Sequence, residues 1–224
     1  MNRKREISAE EALQRLIDGN ERFLKGAVRM SGTPVETITR LTKGQQPFAT
    51  ILGCSDSRVP PEWVFDAGLG ELFVVRVAGN IISPEVAGSL QYAGAHLHTP
   101  LFVVLGHEGC GAVQAALETK FQGVRQRSRI QLLVDGILPA LKGVDPRLPP
   151  RKRLAQAVEK NVRRTVQTIL ESPEGKARRA EGWMKIVGAI YEIRTGRVRF
   201  LEDSGSASHI KGRVTKGPRG QVKK

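Results

Sequence analysis

The chain has 224 residues, 40% of them hydrophobic, which is enough for one α/β domain with a sizeable core and short for two. No apolar run reaches the about 18 residues needed to span a bilayer, and the basic N-terminus lacks the apolar stretch of a secretory leader, so a cytoplasmic protein with no membrane segment is expected. The net charge of +14 would suit a nucleic acid, but residues 45–117 hold two basic residues, Arg58 and Arg76, against six acidic ones, so that stretch carries −4 and the rest +18.

In chain order, Ser8-Ala9-Glu10-Glu11 has the S-x-x-E form of a capping box and predicts a helix to about Lys25, with Ala12, Leu13, Leu16 and Ile17 at helical spacing. Residues 26–46 read as a loop with room for one short helix. Short β-branched runs at 48–53, 72–77 and 101–105 predict buried strands. Helical periodicity covers 84–97, 111–119, 127–141 and 151–170. Residues 184–194 and 197–202, joined by Thr195-Gly196, read as a hairpin. The expected fold is α/β: a single domain with a central, mostly parallel β-sheet flanked by helices, an N-terminal helical arm at about 8–25 and a C-terminal β-hairpin. Residues 1–204 are expected to form the folded domain, and 205–224 a basic, disordered tail.

Three segments place reactive side chains at the C-terminal ends of predicted parallel strands, the edge at which open α/β sheets bind ligands. They are Cys54-Ser55-Asp56-Ser57-Arg58, Arg76-Val77-Ala78-Gly79-Asn80 and Gly106-His107-Glu108-Gly109-Cys110-Gly111. Cys54 and Cys110 are the only cysteines, which leaves a disulfide, reactive thiols or metal ligands; a reducing compartment favours the last two. His107 and Cys110, three residues apart across a turn into a helix, can face one point. With Cys54 they make a Cys₂His set that suits Zn²⁺ and leaves a fourth position for water. Gly106, Gly109 and Gly111 are expected to let the backbone turn tightly around the ion. On an extended segment Asp56 points the same way as Cys54, and Arg58 continues the alternation. A loop salt bridge is the commoner fate of such a pair, but its place beside a ligand favours a functional role. His96 and His98 read as surface or structural residues.

Taken together, C-S-D-S-R, R-x-A-G-N and G-H-x-x-C-G, in that order, resemble the β-carbonic anhydrases, and the likeness extends through roughly residues 8 to 203. The resemblance implies one Zn²⁺ per subunit on Cys54, His107 and Cys110, and an Asp–Arg dyad at Asp56 and Arg58. It implies reversible hydration of carbon dioxide to bicarbonate and a proton by zinc-bound hydroxide. Gly44-Gln45-Gln46-Pro47 resembles the family's G-Q-x-P, which makes Gln45 a substrate hydrogen-bonding residue. Phe73 matches an apolar pocket wall, Tyr92 a pocket tyrosine, and Gly111 a position beside the substrate. The family's pocket forms between subunits, so a homodimer or homotetramer is implied. Ile51 stands where some bacterial relatives carry a tryptophan associated with a non-catalytic bicarbonate site. Two other readings remain: a carbonyl sulfide or carbon disulfide hydrolase on the same fold, and a basic nucleic-acid-binding module with a structural zinc. Against the second, aromatics make up only 5% of the chain and no nucleic-acid motif is present, so a nucleic-acid partner is not expected.

Overall fold

The computed structural model describes residues 7–29, 35–182 and 184–202; the expected tail at 205–224 lies outside them. Helix α1 (Ala9–Leu24) starts as its sequence dictates. The Glu11 backbone N–H donates to Ser8 Oγ at 3.1 Å, and the Ser8 N–H donates to Glu11 Oε2 at 2.9 Å. A short α2 (Val35–Leu41) occupies the predicted loop. Then follow β1 (Ala49–Gly53), α3 (Pro61–Val64), β2 (Leu72–Arg76), a 3₁₀ turn at Ala78–Asn80, α4 (Pro84–Ala95), β3 (Leu101–His107), α5 (Gly111–Gln122) and α6 (Ser128–Ile137). A second 3₁₀ turn at Leu138–Leu141 leads to α7 (Pro150–Glu171), α8 (Pro173–Glu181), β4 (Lys185–Glu192) and β5 (Arg197–Phe200).

The strands form one sheet in the order β2-β1-β3-β4-β5. All pairings are parallel except β4 with β5, which are the two arms of the C-terminal hairpin. This matches the mostly parallel sheet expected from the alternating β-branched runs. Alternation along the strands distributes the side chains between two faces. Ile51, Val103, Leu105, Val187 and Ala189 meet Ala12, Leu13 and Leu16 of α1 and Val64 of α3. On the other face, Leu52, Phe102 and Ile186 meet α4 through Val86, Leu90 and Ala93. Nearer the C-terminal strand ends, Val104 and Ile190 meet α5 to α7 through Val113, Ile137, Val158 and Val162.

Helix α7 lies close over the sheet because glycines beneath it leave room. A Cβ on Gly106 would sit 2.4 Å from Val162 Cγ2, and one on Gly188 2.9 Å from Val162 Cγ1. Gly106 is therefore a packing glycine inside β3 rather than a turn around an ion. Of the three glycines expected to turn the chain, only Gly109 takes the left-handed conformation, at φ 68°. The C-terminal hairpin is tied back to α1 by the buried Asn20. Its Nδ2 donates to Val64 O at 3.0 Å and Gly196 O at 2.9 Å, and its Oδ1 accepts from the Val198 N–H at 2.9 Å.

Candidate metal centre

The site is built where β1 and β3, neighbours in the sheet, both end. Cys54 directly follows β1, His107 is the last residue of β3, and Cys110 precedes the first residue of α5. Parallel pairing puts the two strand ends side by side. The tight Gly109 turn then folds Cys110 back toward them. The two Sγ atoms lie 4.0 Å apart, too far for a disulfide, and both thiols are free. The ligand atoms of Cys54, His107 and Cys110 all lie within 4.8 Å of one another, and all three residues are buried.

The His107 ring is oriented by its own neighbour. Nδ1 lies 3.0 Å from the Glu108 carbonyl oxygen, which can only accept, so Nδ1 carries the proton and Nε2 presents a lone pair. That Nε2 is buried and has no hydrogen-bond partner. An orphaned basic nitrogen beside two sulfurs is costly as it stands, and it is satisfied by a cation.

The sulfur pair makes the same point. A hydrogen bond from the Cys110 thiol lowers Cys54 to about 4; burial opposes this, and the Gly79 and Asp56 backbone N–H groups assist. The same Cys110–Cys54 contact, together with burial, pushes Cys110 up. Two buried sulfurs at this separation hold one negative charge between them unless a positive ion allows both to ionise. The donor set, two thiolates and an imidazole, fits a tetrahedral zinc with one open position.

Asp56 stands at the edge of the cluster, with Oδ2 3.9 Å from His107 Nε2. Arg58 grips it in a fork: Nε donates to Oδ1 at 2.9 Å and Nη2 to Oδ2 at 2.7 Å, while the Arg58 backbone N–H reaches Oδ1 at 3.0 Å. This side-chain pairing holds the Asp56 carboxyl far below the usual carboxylate range. The segment is not the extended run expected from the sequence. Residues 57 and 58 form a turn, and it is the turn that brings the guanidinium back onto Asp56.

Arg76, which the sequence places in the second motif without a role, secures this loop. Its Nε donates to the Cys54 carbonyl at 2.9 Å and its Nη2 to the Asp56 carbonyl at 2.6 Å. The Gly79 N–H points at Cys54 Sγ, 3.4 Å away. None of these contacts has a local signature, because each bridges twenty or more residues of chain.

The remaining expected residues do not join the cluster in the same way. Gln45 is exposed ahead of β1. Phe73 of β2 and Tyr92 of α4 face each other, with ring centroids 6.2 Å apart. Phe73 packs with the α4 cluster, which is distinct from the one containing Cys54 and Cys110. Tyr92 is 46% exposed and also meets His96, which is itself exposed as expected. Gly111 opens α5 immediately beyond Cys110.

The chain is similar to known proteins in sequence and in fold. A carbonic anhydrase family model matches residues 49–198. Carbonic anhydrase 2 of Mycobacterium tuberculosis is 37% identical over 196 residues, 87% of this chain and 94% of its own. Among solved structures, the chain superimposes on one of two tetrameric β-carbonic anhydrases of Sordaria macrospora. The TM-score is 0.68 with 26% identity, covering 73% of this chain and 85% of that one. A Coccomyxa β-carbonic anhydrase in complex with acetazolamide gives a TM-score of 0.66 with 27% identity, covering 84% and 86%.

Proposed function

The chain belongs to the β-carbonic anhydrases, and on that premise we propose that it catalyses the reversible hydration of carbon dioxide to bicarbonate and a proton, with one Zn²⁺ per subunit held by Cys54, His107 and Cys110. The observation that carries this reading is the buried, unpartnered His107 Nε2 set beside two sulfurs, with all three donor atoms within 4.8 Å. When bound, zinc supplies an open coordination position and a Lewis acid that brings the pKa of water from 15.7 toward about 7.

The chain's own residues do the rest. Asp56, kept ionised by Arg58, can only accept hydrogen bonds. It therefore fixes the proton of the attacking water and leaves that oxygen's lone pair for the carbon of CO₂. Arg58 occupies both carboxylate oxygens, which keeps Asp56 from becoming a fourth donor. Gln45 is assigned a substrate hydrogen bond, Phe73 an apolar pocket wall and Tyr92 the place of a pocket tyrosine. Gly111 leaves space beside Cys110, since nothing lies within 4 Å of the position its Cβ would take. A homo-oligomer, dimer or tetramer, is part of the proposal. It is supported by the half-exposed Tyr92 near β2, an edge strand with a single partner, and by the tetrameric Sordaria relatives. Residues 1–204 would form the catalytic unit, followed by the basic tail. Two free thiols suit the reducing cytoplasm. No helix among the described residues is long and apolar enough to cross a membrane.

The test is stopped-flow CO₂ hydration on protein of known zinc content, run beside sulfide release from carbonyl sulfide. Turnover of CO₂ in proportion to zinc is expected. Sulfide release with no CO₂ hydration would replace the substrate and keep the site. Cys110→Ser is expected to lose most of its zinc, and a fully loaded, fully active variant would overturn the ligand assignment.

A further inference from the structure

We propose that Asn161, on a helix outside all three strand-end motifs, is a positioning residue for the metal centre: it holds the 78–80 turn so that the Gly79 amide stays aimed at the Cys54 sulfur. The proposal rests on the zinc reading above.

The geometry runs through one turn of backbone. Gly79 sits at φ 73°, inside a turn whose next residue, Asn80, is also left-handed at φ 42°. The space is closed to any side chain, since a Cβ on Gly79 would lie 2.7 Å from Ile137 Cδ1 and 3.2 Å from Ala112 Cβ. Such a conformation persists only when its surroundings over-determine it. Here α7 provides the constraint. Asn161 Nδ2 donates to the Gly79 carbonyl at 2.8 Å. One turn further along the helix, Thr165 Oγ1 donates to the Asn80 carbonyl at 3.2 Å. Both side chains are buried, at 2% and 4% exposure. They reach the turn because Gly106 and Gly188 let Val162, which directly follows Asn161 on α7, sit low on the sheet.

Two consecutive carbonyls are thus fixed from a distant helix, and the remaining polar group of Gly79, its N–H, is left directed at Cys54 Sγ 3.4 Å away. An N–H donated to a thiolate withdraws charge from the sulfur and orients its lone pairs. Groups of this kind around metal ligands tune affinity and electronic structure. Asn161 therefore acts on the metal through Gly79 and Cys54, without touching either the ion or the substrate.

The experiment compares the full-length wild type with Asn161→Ala and with Val162→Ala, a core truncation at the adjacent position. Each is titrated with zinc against a chromophoric chelator and, separately, loaded with cobalt. Asn161→Ala is expected to bind zinc about tenfold more weakly. Its thiolate-to-cobalt charge-transfer band should move to longer wavelength, because the sulfur has lost a charge-withdrawing donor. Val162→Ala should melt lower yet keep the wild-type affinity and band. Should Asn161→Ala fail to fold, Asn161→Ser, whose hydroxyl stops short of the Gly79 carbonyl, carries the same expectation. An unchanged affinity and band in the Asn161 variant, or an equal change in Val162→Ala, overturns the assignment while zinc binding itself stands. A wild-type chain that takes up neither metal sinks the zinc reading, and this inference with it.

Discussion

Asp56 and Asp66 sit in the same stretch of chain, and each is met by arginine, but the two pairings are built differently. Asp66 is left-handed at φ 44°, and its side chain is fully buried. Both its oxygens are used by residues from elsewhere: Arg22 Nε at the end of α1, and the Arg29 backbone N–H and Nε from the loop that follows. Burial pushes the Asp66 carboxyl up, but these donors outweigh it and hold it below its ordinary value. Asp56 is served by a single arginine two residues on, keeps partial exposure, and turns one oxygen toward the His107 ring. One carboxylate joins distant segments of the fold. The other is held by its own loop and keeps a direction open toward the ligand cluster. How far away in sequence the arginine lies separates the carboxylate that ties the fold together from the one proposed to act on the substrate.

The division can be broken, beginning with the largest expected effect. Asp56→Asn should cut CO₂ hydration about 10³-fold, equivalent to about 4 kcal/mol of barrier, with zinc retained and a cost in thermal stability of about 1 kcal/mol from the lost Arg58 pairing, too small to account for the rate. Stopped-flow rates and thermal melts on the same sample check both halves. Asp66→Asn should cost about 2 kcal/mol in urea unfolding, less than a wholly buried ion pair because Arg29 is largely exposed. Its turnover per zinc should be unchanged; a loss matching that of Asp56→Asn would erase the distinction.

The acid limb sharpens the comparison. A carboxyl lowered in the folded state adds stability that is complete above the unfolded value of about 3.9 and is lost as pH falls through the folded one. Stability should therefore fall below about pH 4, and Asp66→Asn should flatten that slope in urea titrations at successive pH values. The smallest effect belongs to Arg29→Ala, under about 1 kcal/mol, since Arg22 still serves the carboxylate.

What the sequence revealed follows the same contrast between near and far. The Ser8–Glu11 cap, the β-branched strands, the Thr195-Gly196 hairpin and the Cys54, His107 and Cys110 convergence are set by neighbours within a few residues or by strand ends, and all were legible. The Asp56–Arg58 pair was legible for the same reason, although a turn, not an extended strand, joins the two side chains. The expected strand stops at residue 105 because Gly106 reads locally as a strand breaker, whereas β3 runs on to His107 and the real constraint on that glycine is Val162 of α7. α8 was hidden behind Pro173, which starts that helix from the Ser172 cap rather than simply ending α7. Arg22 and Arg29 on Asp66, Arg76 on the Cys54 carbonyl and Asn161 on Gly79 left no trace in spacing, because each contact closes a long loop.

The placement of β3 between β1 and β4, with Asn20 tied to Gly196 and Val198, bears on how the chain is made. Translation delivers both thiols and the imidazole early. The strand that flanks His107 on its second side, and the hairpin that fastens α1, come last. Between Cys110 and Val198 lie close to ninety residues, on the order of ten seconds of elongation at about 5–20 residues per second. Throughout that interval both thiols stand on a sheet without β4 and β5, so the strand that pairs with β3 through Tyr191 beside His107 reaches the donor cluster only after all three of its side chains have been made.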